Sequence, residues 1–374
     1  MMRFSTLLRN PAPWMCGTRK LPGIVISSRI RLARNLADYL FPTRADASVR
    51  EAVREAVLPG VRGIPGMEKA FVKGMEDLPG VERRVLVERH LVSREHAGAE
   101  AGGAVVINRP QSMSIMINEE DHLRMQAMLP GFDLRSAFTH LQEADQHLEQ
   151  QLDFAFDQRL GYLTSCPSNV GTGMRASVML HLPGLVLADQ MNKVINAINK
   201  IGLAVRGLFG EGSEAQSNLF QVSNQTTLGE SEAEIIDRLE RVAGQIIQNE
   251  IQARAKLLAE RPDFVRDQVG RAYGLLRHAR IIATKEALNH LSMLRLAIDL
   301  GWLPPQNEGD GNLDLVILDL QPAHMQWHAG HKLSPEERDM RRARLLRERL
   351  HSLPEPDMQG GAEDASADTP PNES

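Results

Sequence analysis

Residues 103–124 read GAVVINRPQSMSIMINEEDHLR, and this stretch decides the fold class. Two short apolar runs, GAVVIN and SMSIMIN, are separated by Asn108-Arg109-Pro110-Gln111, a combination typical of a tight turn. Strands joined by so short a connection run antiparallel. The stretch therefore predicts a β-hairpin within an antiparallel sheet.

Helical patterns alternate with further apolar runs between Ile24 and about Thr227. The run RRVLVERHLV (83–92) reads as another strand, whereas LRSAFTHLQEADQHLEQQLDFAF (134–156) and DQMNKVINAINKI (189–201) have helical spacing. Strands that pair locally, with helices packed against them, predict an α+β fold in which an antiparallel sheet is flanked by helices.

The C-terminal third is predicted to be helical. AEIIDRLERVAGQIIQNEIQARAKLLAE (233–260) reads as one long amphipathic helix that Arg261-Pro262-Asp263 ends. Ser334-Pro335-Glu336-Glu337 has the cap, the proline and the acids of a helix start. Its continuation, RDMRRARLLRERL, places Met340, Ala343, Leu346 and Leu350 at helical spacing. We expect an N-terminal segment (1–23), a catalytic domain (24–255), a helical C-terminal domain (256–353) and a disordered acidic tail (354–374).

Charge and composition exclude several classes of protein. The 374 residues carry a net charge of −5, but the last 21 residues hold six acids and no base, so the body is near neutral. This balance argues against a nucleic-acid binder. No apolar run is long enough for a membrane span or a secretory signal, which predicts a cytoplasmic protein. Two cysteines, Cys16 and Cys166, exclude a disulfide framework and a four-cysteine zinc site.

Arginine stands beside small residues in four segments: SSRIR (27–31), NEEDHLR (118–124), GTGMRAS (171–177) and RGLFGEGSE (206–214). In an extended segment Arg29 and Arg31 point to the same face, and Glu120 and Arg124 share a face if their segment is a helical turn. GTGMRAS reads as a glycine turn that leads into a helix. The planar guanidinium matches phosphate oxygens, so the set suggests a polyphosphate site, although a single arginine is more often a surface ion-pair partner. The nucleotide motifs of P-loop enzymes and protein kinases are absent.

The four segments taken together are more informative than each of them alone. SSRIRLARNL, NEEDHLR, GYLTSCPSNVGTGMRAS and RGLFGEGSEAQSNLFQVSNQTTLG occur in that order. Together they closely resemble the catalytic domain of the phosphagen (ATP:guanido) kinases, and specifically the bacterial protein-arginine kinases. The resemblance covers about residues 24–255, and the C-terminal region continues it. It implies an antiparallel sheet flanked by helices, in agreement with the pattern.

The resemblance implies transfer of the γ-phosphoryl group of Mg-ATP to a guanidino nitrogen. The implied ATP-binding residues are Ser27, Ser28, Arg29, Ile30, Arg31, His90, Arg124, Arg175, Ala176, Ser177, Val178, Met179, Arg206, Gly207, Leu208, Phe209, Gly210 and Glu211. The five arginines among them would grip the phosphates. Mg²⁺ in this family is held mainly by the nucleotide and water, so no protein site for a metal is expected.

The resemblance also implies the residues that handle the acceptor. Glu120 matches the catalytic carboxylate of the family and Glu211 its second carboxylate, and each can accept hydrogen bonds from a guanidinium. Cys166 matches the reactive cysteine, whose thiolate would help to hold the acceptor without being phosphorylated itself. Without the resemblance, Glu120 would be a helix-start acid, Glu211 a solvated loop acid and Cys166 a small buried side chain.

Two features favour arginine side chains of proteins as the acceptor. Only 26 residues precede Ser27, whereas classical members of the family have a helical domain there that closes over a small acceptor. The hexamer RDMRRA (338–343) matches the RDxxRA motif of the protein-arginine kinases, although alone it would be the solvated face of a charged helix. The resemblance implies an allosteric phosphoarginine-binding site formed by Arg338, Asp339, Arg341, Arg342 and Ala343.

By the same resemblance, the expected partners are protein substrates, among them a stress-response repressor, a Clp chaperone-protease that degrades the marked proteins, and further copies of the chain in a homo-oligomer. Two alternatives stay open. One is a kinase of free arginine or another small guanidino compound, and the other is a weakly catalytic adaptor that binds phosphoarginine. His324, His328 and His331 have metal-like spacing, but a surface histidine cluster is favoured.

Overall fold

The computed structural model describes residues 2–9, 11, 14, 23–99, 101–207, 216–305 and 312–359. Cys16, residues 208–211 and the end of the acidic tail lie outside the described residues. The strands are β1 (Val25–Arg34), β2 (Phe71–Gly74), β3 (Ala104–Ile107), β4 (Met113–Ile117), β5 (Leu123–Pro130), β6 (Phe156–Asp157), β7 (Gly161–Tyr162), β8 (Met174–His181), β9 (Leu203–Gly207) and β10 (Leu219–Asn224).

The helices of the described residues fall into two groups along the chain. Those up to residue 260 are α1 (Phe4–Arg9), α2 (Ala47–Gly63), α3 (Gly80–Glu88), α4 (Arg94–Ala97), α5 (Leu134–Glu149), α6 (Pro183–Leu187), α7 (Met191–Asn199) and α8 (Glu232–Glu260). Those beyond it are α9 (Pro262–His278), α10 (Thr284–Asp299), α11 (Leu313–Asp319), α12 (Pro322–Ala329) and α13 (Pro335–Arg349).

The described residues form an eight-stranded antiparallel sheet with the strand order β2-β3-β4-β5-β1-β8-β10-β9. The predicted hairpin joins β3 and β4, and its turn is closed by the N–H of Gln111 donating to the carbonyl oxygen of Asn108 at 3.0 Å. Helices pack against this sheet and a helical region follows it. The predicted α+β fold class is confirmed.

The two faces of the sheet have different roles because side chains alternate along a strand. On one face, Ile30 and Leu32 of β1 and Ala176 and Val178 of β8 are buried in a core covered by α2, α5, α7 and α8. The opposite face carries Arg29 and Arg31 of β1 and Arg175 of β8. The sheet thus separates an apolar core from a strongly basic surface.

Two local predictions are wrong, and the helical turn considered for NEEDHLR does not form. RRVLVERHLV is mostly helix α3, whose Val85 and Leu86 pack into a small core with Leu7 and Phe71; a short apolar run fits helix and strand equally well. GTGMRAS leads into strand β8, which is paired on both edges. NEEDHLR is not a helical turn but the tight connection between β4 and β5, closed by the N–H of Asn118 donating to the carbonyl oxygen of His122 at 2.9 Å.

The long helix and the last helix form as predicted. Ser231 and Glu234 make a capping box at the start of α8, and α9 begins at Pro262. The core under the sheet ends along α8 at Ala253, and a second core, within the C-terminal helices, begins at Leu257. None of the helices in the described part of the chain is long and apolar enough to span a membrane.

Helix α13 begins after Ser334, which caps it together with Glu337. Ala343, Leu346 and Leu350 are buried in the second core, but Met340 is 48% exposed and does not share their face. The predicted boundary of the disordered tail, residue 354, is too early, because residues beyond it still contact the helical region. The N–H of Asp357 donates to the carbonyl oxygen of Trp302 at 2.8 Å, and Met358 packs against the second core.

Candidate active site

Five arginines from four strands line one cleft of 1240 Å³ on the basic face of the sheet. They are Arg29 and Arg31 on β1, Arg124 on β5, Arg175 on β8 and Arg206 on β9. The strand register explains their convergence, because β1 lies between β5 and β8 and Arg31 is directly opposite Arg175. Side chains opposite each other on one face of a sheet are close neighbours.

The cleft concentrates positive charge that the protein only partly neutralises. Burial, together with Arg175 and Arg124, lowers the pKa of Arg29 to about 10, and burial with three neighbouring arginines lowers the pKa of Arg31 well below its usual value. The Nε atoms of Arg31 and Arg175 are buried without a hydrogen-bond partner among the described residues. Like charges held this way favour a polyanion as ligand.

Arg29 and Arg175 each donate a side-chain hydrogen bond to a neutral group. Nη2 of Arg29 donates to Oε1 of Gln221 at 2.7 Å, and Nη2 of Arg175 donates to Oγ of Ser223 at 3.1 Å. Both partners belong to β10, which lies within the quoted segment 206–229, although neither residue was predicted as part of the site. Neutral partners fix the orientation of a guanidinium and leave its charge available for a ligand.

Arg124 is held by the acidic connection between β4 and β5. Its Nη1 donates to Oε2 of Glu119 at 2.7 Å and to Oε2 of Glu120 at 3.4 Å. The side chain of Glu119 is 3% exposed and that of Glu120 is 39% exposed. Glu119 is therefore the buried partner of Arg124, while Glu120 remains open to the cleft. Sequence reasoning missed Glu119, whose only signal was its place next to Glu120 in the same motif.

The pKa values of Glu119 and Glu120 are shifted in opposite directions. Burial raises the pKa of Glu120, and the nearby Asp121, Glu119 and Glu95 raise it further against the effect of Arg124. Burial also acts to raise the pKa of Glu119, but Arg124 and a hydrogen bond from Ser93 outweigh it and hold that pKa below its usual value. Paired carboxyl groups with diverging pKa values are typical of functional sites.

A network of buried and partly buried hydrogen bonds joins Glu120 to the segment of Cys166. Oδ1 of Asp121 accepts from Nδ2 of Asn35 and from the N–H of Ser165, both at 2.7 Å. Oγ of Ser165 donates to the carbonyl oxygen of Glu120 at 2.7 Å. The predicted carboxylate and the predicted cysteine are therefore carried by two loops that are bonded to each other.

Cys166 is partly buried, and its Sγ lies 3.0 Å from Oγ of Ser168. It is not one of the residues that line the cleft. Burial, Arg206 and Arg124 lower the pKa of Arg175, whereas Cys166 acts in the opposite direction. The thiol is thus within electrostatic reach of a guanidinium in the cleft.

His90 lines the cleft from the turn after α3, with a left-handed φ of 56°. Its ring contacts Trp14 edge-on at a centroid distance of 5.5 Å, and its carbonyl oxygen accepts from Nε2 of Gln126 at 2.6 Å. Burial, with the charges of Arg29 and Arg94, lowers the pKa of His90 to about 3. The imidazole is neutral at physiological pH and can pack against a nucleotide without adding charge.

Several predicted ATP-binding residues do not line the cleft. Ser28 is fully buried between the carbonyl oxygen of Gly131 and the N–H of Asp133. The side chains that lie in the core beneath the sheet are those of Ile30, Ala176 and Val178. Three more side chains lie on the cleft side of the sheet but are covered by neighbouring groups: Ser27, Ser177 and Met179. Gly207 lines the cleft, and the predicted residues from Leu208 to Glu211 lie outside the described residues.

The C-terminal motif is only partly accessible. Arg342 is 1% exposed and donates to the carbonyl oxygens of Leu320 at 3.1 Å and Ile282 at 2.8 Å, and to Oδ1 of Asp339 at 2.5 Å. Ala343 is buried in the second core. Arg338 and Asp339 are half-buried and Arg341 is exposed, so these three form the accessible part of the motif.

The three histidines of the C-terminal region do not form one site. His324 is buried and its Nδ1 lies 2.7 Å from Oε2 of Glu88, whereas His328 and His331 are exposed. Among the described residues, no group of three or more histidine, cysteine, aspartate or glutamate side chains is placed to hold a metal ion.

Family comparisons agree with this geometry. The family described as "ATP:guanido phosphotransferase, C-terminal catalytic domain" matches residues 53–253, and the one described as "Protein-arginine kinase McsB C-terminal domain" matches residues 262–361. A protein-arginine kinase of Halothermothrix orenii is 49% identical over 92% of this chain and 97% of its own length. One from Brevibacillus brevis is 48% identical over 92% and 96%.

Solved structures show the same fold. The crystal structure of a lombricine kinase is similar with a TM-score of 0.55 at 25% identity, covering 66% of this chain and 73% of that one. A duplicated taurocyamine kinase from Schistosoma mansoni, solved with transition-state analogue components, has a TM-score of 0.56 at 26% identity, covering 67% of this chain and 36% of the other. The similarity to these structures spans about two thirds of the present chain.

Proposed function

Because the chain belongs to the ATP:guanido phosphotransferase family, we propose that its cleft transfers the γ-phosphoryl group of ATP to arginine side chains of proteins. The observation that carries this proposal is the convergence of five arginines and Glu120 in one cleft. The protein-arginine kinase relatives, which match almost the whole chain, support a protein acceptor.

The arginines account for the phosphate half of the reaction. Arg29, Arg31, Arg124, Arg175 and Arg206 would bind the phosphate chain of ATP and hold the leaving group in line with the acceptor. Phosphoryl transfer needs little covalent help from the protein, since most of the catalysis is positioning and stabilisation of charge on the phosphoryl oxygens. The unpartnered Nε atoms of Arg31 and Arg175 fit such a ligand. Mg²⁺ bound by the nucleotide would neutralise further charge on the phosphates.

The acidic groups account for the acceptor half. A guanidinium is a poor nucleophile, so it must be oriented and must lose a proton. Glu120 is open to the cleft beside Arg124 and would accept hydrogen bonds from the acceptor and take that proton. Glu211 would be the second carboxylate and Cys166 an assisting thiolate, both by family position. Since Cys166 acts electrostatically on Arg175, it would stand at the junction of the phosphates and the acceptor.

Free arginine is the competing acceptor, because the similar solved structures include kinases named for small guanidino compounds. Incubation with ATP and an equimolar mixture of free arginine and unfolded casein separates the two. Acid-labile phosphate on casein arginines supports the proposal, whereas label on free arginine alone overturns it. Failure to label either acceptor would favour the adaptor that only binds phosphoarginine.

The accessible part of the RDxxRA motif supports a regulatory role for the C-terminal helices. We propose that Arg338, Asp339 and Arg341 bind phosphoarginine, with Arg342 and Ala343 as the buried frame of that site. Asp339 would pair with the guanidino part and the arginines with the phosphate. Calorimetric titration with phosphoarginine tests this, and binding that Arg341→Ala leaves unchanged would contradict it.

The wider context rests on the family resemblance. We propose a cytoplasmic enzyme, active as a homo-oligomer, whose products are degraded by a Clp chaperone-protease and whose targets include a stress-response repressor. Sedimentation of the full chain tests the oligomer. Co-purification of the Clp chaperone with phosphorylated but not with unmodified substrate tests the degradation route.

A further inference from the structure

The wall of the ATP cleft includes residues from the C-terminal helices. Gln321 and Pro322, at the start of α12, line the cleft together with Glu88 and His90. We propose that Glu88 is a positioning residue for ATP binding, because its carboxylate fixes the first turn of α12 in this wall. The inference rests on the proposed function only in taking this cleft as the ATP site.

Glu88 supplies the cap that α12 lacks from its own sequence. The residue before the helix, Gln321, makes no side-chain capping bond. Instead, Oε1 of Glu88 accepts from the N–H of Ala323 at 2.7 Å, and Oε2 accepts from the N–H of His324 at 3.0 Å. A carboxylate at these first amides also meets the positive end of the helix dipole. The start of α12 is therefore held by a side chain from α3, more than 230 residues earlier.

His324 strengthens the same contact. Its buried ring places Nδ1 at 2.7 Å from Oε2 of Glu88, while Nε of Arg89 donates to its Nε2 at 3.3 Å. Because Nε2 accepts, the Nδ1–H is the donor to Glu88. Burial lowers the pKa of His324 although Glu88 opposes this shift, so the ring is neutral at physiological pH.

Arg89 connects this contact to the part of the cleft that His90 lines. Its Nη1 donates to the carbonyl oxygen of Leu7 at 3.0 Å and to Oε1 of Gln111 at 2.8 Å. The next residue along the chain is His90, which lines the cleft. The end of α3 thus joins α1, the β3–β4 turn and α12 immediately beside a predicted ATP contact.

The same segment of chain is held from the other side by α13. Nε of Arg342 donates to the carbonyl oxygen of Leu320, the residue before Gln321. Arg342 is in turn bound by Asp339. The proposed phosphoarginine site and the ATP cleft therefore both contact the segment 320–322. Arg342 holds this segment at Leu320, and Glu88 holds the amides of Ala323 and His324 directly after it.

The test uses the full-length protein and a non-hydrolysable ATP analogue. Glu88→Gln should weaken binding of the analogue and raise KM for ATP about fivefold, the change expected when a helix cap is lost, while kcat stays near that of wild type. Glu82→Gln, in the same helix but without a bond to α12, is the matched control. In wild type, the analogue should slow hydrogen exchange at the amides of Ala323 and His324.

An unchanged KM in Glu88→Gln, or equal shifts in both variants, would overturn the inference. If Glu88→Gln does not fold, the exchange experiment on wild type decides alone, and absence of protection at Ala323 and His324 overturns it. Direct titration keeps this test apart from the acceptor chemistry. A protein that binds the analogue but labels no protein arginine contradicts the proposed function and leaves the role of Glu88 intact, whereas absence of analogue binding overturns both.

Discussion

The Oε2 atom of Glu119 lies 2.7 Å from Nη1 of Arg124, and this pair is the main bond that holds a cleft arginine to the acidic connection between β4 and β5. Glu120 reaches the same nitrogen only at 3.4 Å. Adjacent carboxylates thus divide two tasks. In the proposed function, the buried one would orient a phosphate-binding arginine, and the exposed one would be free for the acceptor.

Glu119→Gln should impair ATP use more than acceptor use. Loss of the charge partner leaves Arg124 less firmly oriented, and breaking a partly buried charge-assisted hydrogen bond typically costs about 1.5–3 kcal/mol. We expect KM for ATP to rise roughly tenfold or more, with a smaller change in KM for a protein acceptor. Glu143→Gln, an exposed substitution on α5, is the control. An unchanged KM for ATP would show that Glu119 does not set the position of Arg124.

Glu95→Gln should shift the acid limb of the pH–rate profile. In the proposed mechanism activity requires the ionised Glu120, whose pKa is raised by burial and by nearby negative charges that include Glu95. A raised pKa means that activity is lost at a higher pH, as the medium is acidified, than for an ordinary glutamate. Removing the charge of Glu95 lowers the pKa of Glu120, so the acid limb of kcat/KM should move to lower pH. Glu82→Gln should leave it in place, and a limb that moves to higher pH in Glu95→Gln would contradict the assignment of Glu120.

Asp145→Asn should destabilise the fold. Nε and Nη2 of Arg34 donate to the two oxygens of Asp145 at 3.1 and 2.6 Å, and the guanidinium stacks 3.5 Å from the ring centroid of Tyr162. Arg34 is 2% exposed, so the substitution leaves a buried charge without its partner and should cost about 3 kcal/mol. Urea unfolding, with Glu143→Gln in the same helix as control, measures this. Equal free energies of unfolding for the two variants would contradict it.

Much of the fold could be predicted from sequence where a pattern was long. Helices α5 and α8 span many turns with one apolar face, and the β3–β4 hairpin had an explicit turn signal. Short segments failed because tertiary contacts decide them. Val85 and Leu86 suit either a strand or a helix, and only packing against Leu7 and Phe71 makes α3 a helix.

The charged residues of the site could be predicted from the sequence, but the residues that position them could not. The arginine motifs identified the residues that converge, because strand alternation puts Arg29 and Arg31 on one face. The supports Glu119, Gln221 and Glu88 could not be found this way, since each acts through a contact that exists only once the strands and the C-terminal helices are in place.

The most direct test of the account is site mapping of phosphate on a protein acceptor. Wild type, Glu120→Gln and Glu143→Gln are incubated with Mg-ATP and unfolded casein, and the peptides are analysed by mass spectrometry under conditions that preserve acid-labile phosphate. We predict phosphate on arginine side chains with wild type and Glu143→Gln, and at least a hundredfold loss, a typical cost of removing a general base, with a still folded Glu120→Gln. Phosphate confined to serine, threonine or tyrosine, or full arginine labelling by Glu120→Gln, would contradict it.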